Sequence, residues 1–424
     1  MPLLPPRGVG CALVLALAIQ PAISAAASPA DPPLAHATAA PVLSIDDAVS
    51  ASLLLHPNVL EAQTALAQAR GAASQTAALQ SNPTASASLS LDGARSGGSL
   101  SQPISLTGEG VAARRTASAQ VEAAEAQLAR ARRVAAADVR AAYADAVVRC
   151  GQVTVAEDGV AIAVRLRDAV GLQHEEGEAS LLDLRLARLS LVQASARLLS
   201  ARQAEAEALR SLAALIGEPV AREALPADPT VAAPKPGLAS QGERSDVRAA
   251  VAALRAAEAD LARQRAAGLA PVQLGAFVEV EDGRIFAGPS VSVQLPLFNR
   301  NQAQRSAADG AVAARAADHT RLVARAATER QTAEARFAEA GALEAALETD
   351  PLAEAQAALT SIEAGYRAGE IDLPSTVLLQ DQVLDGEGAA LALMGGIARA
   401  RLDLLLATDD DRLLPSSSAP RSAP

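Results

Sequence analysis

Tryptophan is absent from the 424 residues, and aromatics of any kind make up only 1%. Aromatic side chains supply much of the buried area of an ordinary globular core, so a chain that is 50% hydrophobic yet almost free of them is built another way. Alanine, Arg and Glu at helical spacing suit long helices packed closely side by side. Cysteine is nearly as scarce: of Cys11 and Cys150, the first lies in an apolar leader. The chain beyond that leader therefore holds no intrachain disulfide, and Cys150 reads as a buried helical thiol. A basic excess is missing too. The net charge is −11, and no aromatics interleave with Lys or Arg, so nucleic acid is not a partner. Past the leader no stretch approaches the roughly 20 apolar residues of a spanning helix, so any entry into a membrane must use strands.

The leader carries one charge, Arg7, then the apolar run Cys11–Ile19 and the small residues Ser24 to Ala27. This is the pattern of a secretory signal, residues 1–27, cleaved near Ala27. Loss of Arg7 would take the net charge from −11 to −12. Cys11 heads the apolar run instead of trailing it, so no lipid anchor is expected. Residues 28–41, rich in Pro and Ala, are expected to be disordered.

Ser44-Ile45-Asp46-Asp47 has the spacing of a helix start, and a helix is expected to about Gln80, with a break at His56-Pro57. Ala85, Ala87, Leu89 and Leu91 then alternate with polar residues as a strand, closed by turns at Asp92-Gly93 and Gly97-Gly98, and a weaker strand covers about Leu100–Leu106. From Thr107 to Glu218 there is no proline. Val139, Tyr143 and Val147 recur at spacing four, as on one face of a very long helix. Gly171 and Gly177 mark a reversal. The returning helix carries Leu182, Leu186 and Leu189, then Leu209, Leu212 and Ile216, and Gly217-Glu218-Pro219 stops it. Residues 219–240 read as a Pro/Ala-rich linker.

The chain then repeats itself. Asn58-Val59 matches Asp246-Val247, Ala65-Leu66 matches Ala253-Leu254 and Pro83 matches Pro271, all at one offset, while Gly177-Glu178 matches Gly369-Glu370 four residues further out of step. A strand from Val272 turns at Asp282-Gly283 into one ending at Leu297. Within Ser290–Gln302 the periodicity changes from two to helical, so a strand feeds a long helix almost without a loop. The repeats span 42–218 and 241–410, with 411–424 as a disordered tail. Two halves supply only four strands, too few to close a transmembrane barrel, so a membrane-embedded form needs several copies.

No nucleophile elbow, phosphate loop or dinucleotide motif occurs, and His36, His56, His174 and His319 are scattered. Neither an enzyme, a cofactor nor a built-in metal centre is expected. His174 with Glu175, Glu176 and Glu178 reads as a solvated turn or as a weak attractor of cations. Asp409-Asp410 reads as solubilising. An exported coiled-coil adaptor or scaffold remains an alternative of another class.

The tandem halves, Asn82-Pro83, the string Leu295-Pro296-Leu297-Phe298-Asn299-Arg300-Asn301-Gln302 and the turn Tyr366-Arg367-Ala368-Gly369-Glu370 resemble the TolC-like outer membrane factor family, in its CzcC-type heavy-metal efflux branch. The resemblance implies a mainly helical fold with long hairpins forming a periplasmic tunnel. It also implies four strands per chain, joined in a homotrimer as a twelve-stranded outer membrane barrel. The partners implied are outer membrane lipid, a periplasmic adaptor protein and an inner-membrane RND transporter. The cargo implied is a divalent metal cation, with drugs, other organic solutes or type I secretion as alternatives. The turns Gly177-Glu178 and Gly369-Glu370 become the periplasmic tip and adaptor contact. Asp183, six residues after Gly177, matches an acidic gate position. In the second half that position is Ser375, with Glu370 and Asp372 as substitutes. Asp183 also suits the first turn of a helix through its dipole alone, and both readings stand.

Overall fold

The structure, a computed structural model, describes residues 42–77, 82–89, 95–104, 108–235, 243–267, 272–293, 300–346 and 351–415. Residues 1–27, expected to be the signal segment, residues 28–41 and Leu295–Asn299 of the Leu295–Gln302 string lie outside them.

The first repeat runs α1 (Ile45–Leu55), α2 (Pro57–Ala77), β1 (Thr84–Leu89), β2 (Arg95–Ile104), α3 (Glu109–Glu175) and α4 (Leu181–Ile216). The second runs α5 (Ser245–Ala266), β3 (Val272–Glu281), β4 (Arg284–Val293), α6 (Gln302–Ala346), α7 (Pro351–Arg367) and α8 (Leu373–Ala407). Ser44 caps α1 by accepting from the Asp46 amide. The break at His56 is real, because Pro57 can open a helix but not continue one. α3 is 67 residues long, on the order of 100 Å at 1.5 Å per residue.

Two boundaries differ from the sequence reading. β2 begins at Arg95, so Gly97 and Gly98 are strand residues and not a turn. A Cβ at Gly275, on the neighbouring strand, would lie 2.5 Å from the Leu100 carbonyl oxygen and 3.1 Å from the Ser101 Cα, so glycine serves there to let the two strands approach. α3 runs through Gly171, beside which nothing lies within 4 Å, and the chain turns only at Gly177.

The strands form one antiparallel sheet in the order β1-β2-β3-β4. Directly paired residues share a face. Leu100 pairs Ala276, Leu274 pairs Val291, Val278 pairs Ala287, Val280 pairs Ile285 and Ile104 meets Val272 opposite Val293. These side chains make one apolar face across the sheet. Leu89, Leu100, Val278, Ile285 and Val291 are all exposed on it. The other face carries Ser86, Ser88, Ser99, Glu279, Glu281 and Arg284, together with both aromatics of the described strands, Phe277 and Phe286. No helix among the described residues is long and apolar enough to cross a membrane.

The helices form rows that continue from the sheet. Near the strands α2, α3, α5 and α6 pack in that order, and further along α4 packs on α3, α3 on α8, and α8 on α7. α3 is common to both rows. Its buried positions are mostly alanine, including Ala135, Ala136 and Ala146, with Val139, Tyr143 and Val147 among them. Small side chains allow the close approach that an aromatic-poor chain needs.

Polar side chains fix the ends of the described chain to α3. The Tyr143 hydroxyl donates to the Leu43 carbonyl at 2.7 Å. Burial pushes this phenol up to about 12. Arg140, buried, donates to the carbonyls of Leu413 and Ala232 and to Asp46. Burial pulls its guanidinium below the usual value, and Asp46 opposes that. The span 219–240 is therefore more than a linker: Ala232 and Ala233 lie in the core, in a 3-10 turn and just after it. Nor is order lost after 410, because Asp411–Leu413 forms another such turn with Leu413 fully buried. Asp409 is likewise buried and not solubilising. It accepts from the Ser245 amide and hydroxyl and pairs with Arg130 and Arg133. Alternating composition could not reveal these ties, which join residues far apart in the chain.

Candidate functional site

The two helix reversals lie side by side. The Tyr366 hydroxyl donates to Gln173 Oε1 at 3.0 Å, and Leu373 joins Leu166, Val170, Leu184 and Ala187 in one apolar cluster. Tyr366 is raised above the ordinary phenol value, first by burial and then by the nearby Asp183 carboxylate. The two turns that the repeat aligns are thus brought side by side.

Each reversal is made by one left-handed glycine. Gly177 has φ 83° and Gly369 φ 75°, a conformation that costs other residues about 1–2 kcal/mol. In the first, the amides of Glu178 and Ala179 donate to the Gln173 carbonyl. In the second, the Glu370 amide donates to the Gly365 carbonyl and the Gly369 amide to Tyr366. Both patterns satisfy carbonyls left open at a helix end. Gly177, Glu178, Gly369 and Glu370 are all exposed.

The returning helices start from exchanged residues. At α4, Ser180 is the cap and Asp183 the third residue in: the Asp183 amide donates to Ser180 Oγ at 3.1 Å, and Asp183 Oδ2 accepts from the Ser180 amide at 3.0 Å. This is a reciprocal capping box. At α8 the cap is Asp372, whose carboxylate accepts from the Ser375 amide at 3.1 Å. The hydrogen bonds from Ser375 hold the Asp372 carboxyl below the usual range. The second half therefore keeps an acid at its helix start, but at the cap and not where Ser375 stands.

His174 belongs to the turn as well: its Nδ1 lies 2.9 Å from the Ala179 carbonyl. Among the described residues no three His, Cys, Asp or Glu side chains are grouped to hold a metal ion. Cys150 sits apart from the reversals, buried in α3, with its thiol pushed up to about 12 by burial first and the neighbouring Glu205 second. Such a thiol is unreactive.

The remaining geometry is that of a scaffold: a strand sheet with one apolar face, long helices, and a polar acidic end. Residues 48–218 match the family model described as outer membrane efflux protein. Solved structures agree over most of the chain. A membrane protein from Pseudomonas aeruginosa is similar at a TM-score of 0.71 and 21% identity, covering 86% of this chain and 92% of that one. CusC, solved for its conformational changes on folding and transmembrane channel formation, is similar at 0.67 and 18%, covering 86% and 92%. The open state of the MtrE outer membrane channel of Neisseria gonorrhoeae is similar at 0.61 and 20%, covering 88% and 91%. No curated protein matches. The fold is thus the outer membrane factor fold, mainly helical with a four-stranded sheet.

Proposed function

We propose that the chain is the outer membrane channel subunit of a tripartite efflux system, three copies closing a twelve-stranded barrel that continues into a helical tunnel in the periplasm. The observation that carries this reading is the sheet. Its four strands present one mainly apolar face, interrupted at Ser96, Gly98 and Gln102 and largely exposed in the single chain, backed by a face of Ser, Glu and Arg with Phe277 and Phe286 among them. That is the lipid-out, water-in alternation of a transmembrane barrel, and its edge strands require further strands for closure. A periplasmic scaffold has no use for such a face. The family match to residues 48–218 supports the same reading. Mass measurement in detergent is expected to give a trimer, and the protein is expected to stay with outer membranes through a high-salt wash. A monomer, or release by salt, overturns the reading.

In this reading the reversals form the periplasmic tip. Gly177-Glu178 and Gly369-Glu370 meet the adaptor that links the duct to an inner-membrane RND transporter, and Asp183 and Asp372 narrow the mouth, with Ser375 one turn above. Carboxylates repeated around a narrow opening repel one another and attract cations. The exported cargo is a divalent metal cation, as the string from Leu295 to Gln302 suggests. Deleting the gene should sensitise cells to zinc, cobalt or cadmium. Sensitivity confined to dyes and antibiotics would assign the duct to organic solutes instead.

A further inference from the structure

A transmembrane barrel sets its aromatic girdles on the outward face, yet both aromatics of the described strands, Phe277 and Phe286, stand on the polar face. Register gathers them about one acid. Glu279 of β3 pairs directly with Phe286 of β4, and Phe277 lies two residues before Glu279 on the same face. Phe277 is opposite Gly288, and its ring fills the space that glycine leaves: its Cε1 and Cζ lie 3.6 and 3.7 Å from where a Cβ at 288 would be. The ring therefore leans over β4 next to Phe286, which is two residues from Gly288 on that face. On the other side of Glu279 the face falls away, with Gly97 as its partner on β2 and Ser99 opposite Phe277. Two rings and a carboxylate thus rise together from a floor of glycine and serine. Covering Gly288 accounts for Phe277 but for neither neighbour. Phe286 is 50% exposed. Glu279 is exposed too, and has no hydrogen-bond or ion-pair partner among the described residues. Glu281, nearer the turn, is by contrast paired with Arg95 and faces Arg284.

We propose that Glu279, Phe277 and Phe286 form a site for organic cations of the substituted-ammonium class on the inner wall of the barrel. The inference rests on the channel-subunit reading, which turns this face to the lumen, and it adds a class of solute that carboxylates alone do not select. The chemistry of the group chooses the ligand. An unpaired carboxylate attracts positive charge, and the faces of two phenyl rings attract the same charge while covering the hydrocarbon that carries it. A bare divalent cation takes several ligands and meets only one unpaired carboxylate here. An anion is repelled by Glu279, and a neutral solute leaves its charge unused. The helices α5 and α6 adjoin the Val272 and Val293 ends of the strands, so the Asp282-Gly283 turn is the end remote from the tunnel. Glu279 and Phe286 form the third pair from that turn. The site therefore lies near the outer mouth, once in each copy. Contacts between a cation and an exposed ring are weak, so a ligand is held only briefly, as passage through a duct requires.

The test is binding of benzyltrimethylammonium to the full-length protein in lipid nanodiscs at fixed ionic strength, read by saturation-transfer NMR, with benzylsulfonate as an anion of similar shape. The cation should bind saturably and the anion should not. Phe286→Leu keeps the apolar bulk but removes the ring, and should weaken binding about two- to fivefold. Glu279→Gln should weaken it at least as much. Both positions are exposed, so both variants should assemble as the parent does, which mass measurement in detergent checks. Equal binding of benzylsulfonate overturns the site, because apolar burial alone would then explain it. Binding untouched by Phe286→Leu also overturns it, in favour of diffuse negative charge. Binding that survives Glu279→Gln and is lost in Asp183→Asn belongs to the helix reversals and overturns it as well. Each of these results in a trimer leaves the channel reading intact. A monomer by mass overturns that reading, and the site with it.

Discussion

The two reversals solve one problem with the same residues in exchanged places. The first has Ser180 at the cap and Asp183 three residues in, while the second has Asp372 at the cap and Ser375 three residues in. Either order leaves a hydroxyl and a carboxylate at the start of the returning helix, where the dipole favours negative charge. What changes is the height of the charge, by most of a helical turn. The carboxylate is thus constrained by capping to one of two positions, and any role in the mouth of a channel is built on top of that.

The largest effect should come from the turns, where the two sites are alike. Gly177→Val and Gly369→Val each force a β-branched residue into a left-handed conformation, at about 1–2 kcal/mol or more. Hydrogen exchange should show lost protection in the last turn of α3 or α7 by comparable amounts. A large difference between the variants would mean that one glycine is held by something beyond its turn.

Capping should separate them. Ser180→Ala removes the acceptor for the Asp183 amide and should loosen the start of α4 by about 1 kcal/mol, whereas Asp183→Ala leaves that acceptor in place and should cost about 0.3–1 kcal/mol. In the second reversal the order inverts: Asp372→Ala should loosen α8 more than Ser375→Ala. Limited proteolysis at each tip would rank the four.

Acid gives a smaller, one-sided difference. Asp372 has its folded pKa depressed, so its contribution is fully present above the unfolded value, about 3.9, and is lost as pH falls through the lower folded value. Below about pH 4, the protection of amides at the start of α8, relative to their intrinsic exchange rate at that pH, should fall. Asp372→Asn should abolish that dependence.

Least of all should come from the exchange itself. Ser180→Asp with Asp183→Ser writes the second reversal's order into the first, and should alter stability by less than about 0.5 kcal/mol. Conductance in bilayers is the readout that matters: a shift in cation selectivity at unchanged stability separates charge placement from capping.

Much of this was legible because it is local. Glycine at a reversal, a cap three residues before its partner, and alternation in strands are all written within a few positions, and the break at Pro57 and the reach of α3 came out of them. The ion pairs of Asp409, the burial of Leu413 and the anchoring of Ala232 were not legible, because each depends on an arginine of α3 far away in sequence. Leu182 and Leu189 were visible as part of an apolar stripe and are exposed in the fold, yet periodicity says only that a face is apolar. It does not say whether the same chain covers it.

Arg140 and Tyr143 hold Leu43 at one end of the described chain and Leu413 at the other. Both ends of the described chain therefore lie at the same girdle of α3, far from both the reversals and the sheet. Truncation at 410 would not trim an idle tail. It would remove the carbonyl of Leu413 from a buried guanidinium and the carboxylate of Asp411 from Arg133, loosening the clasp by which one helix gathers Leu43 and Leu413 to its middle.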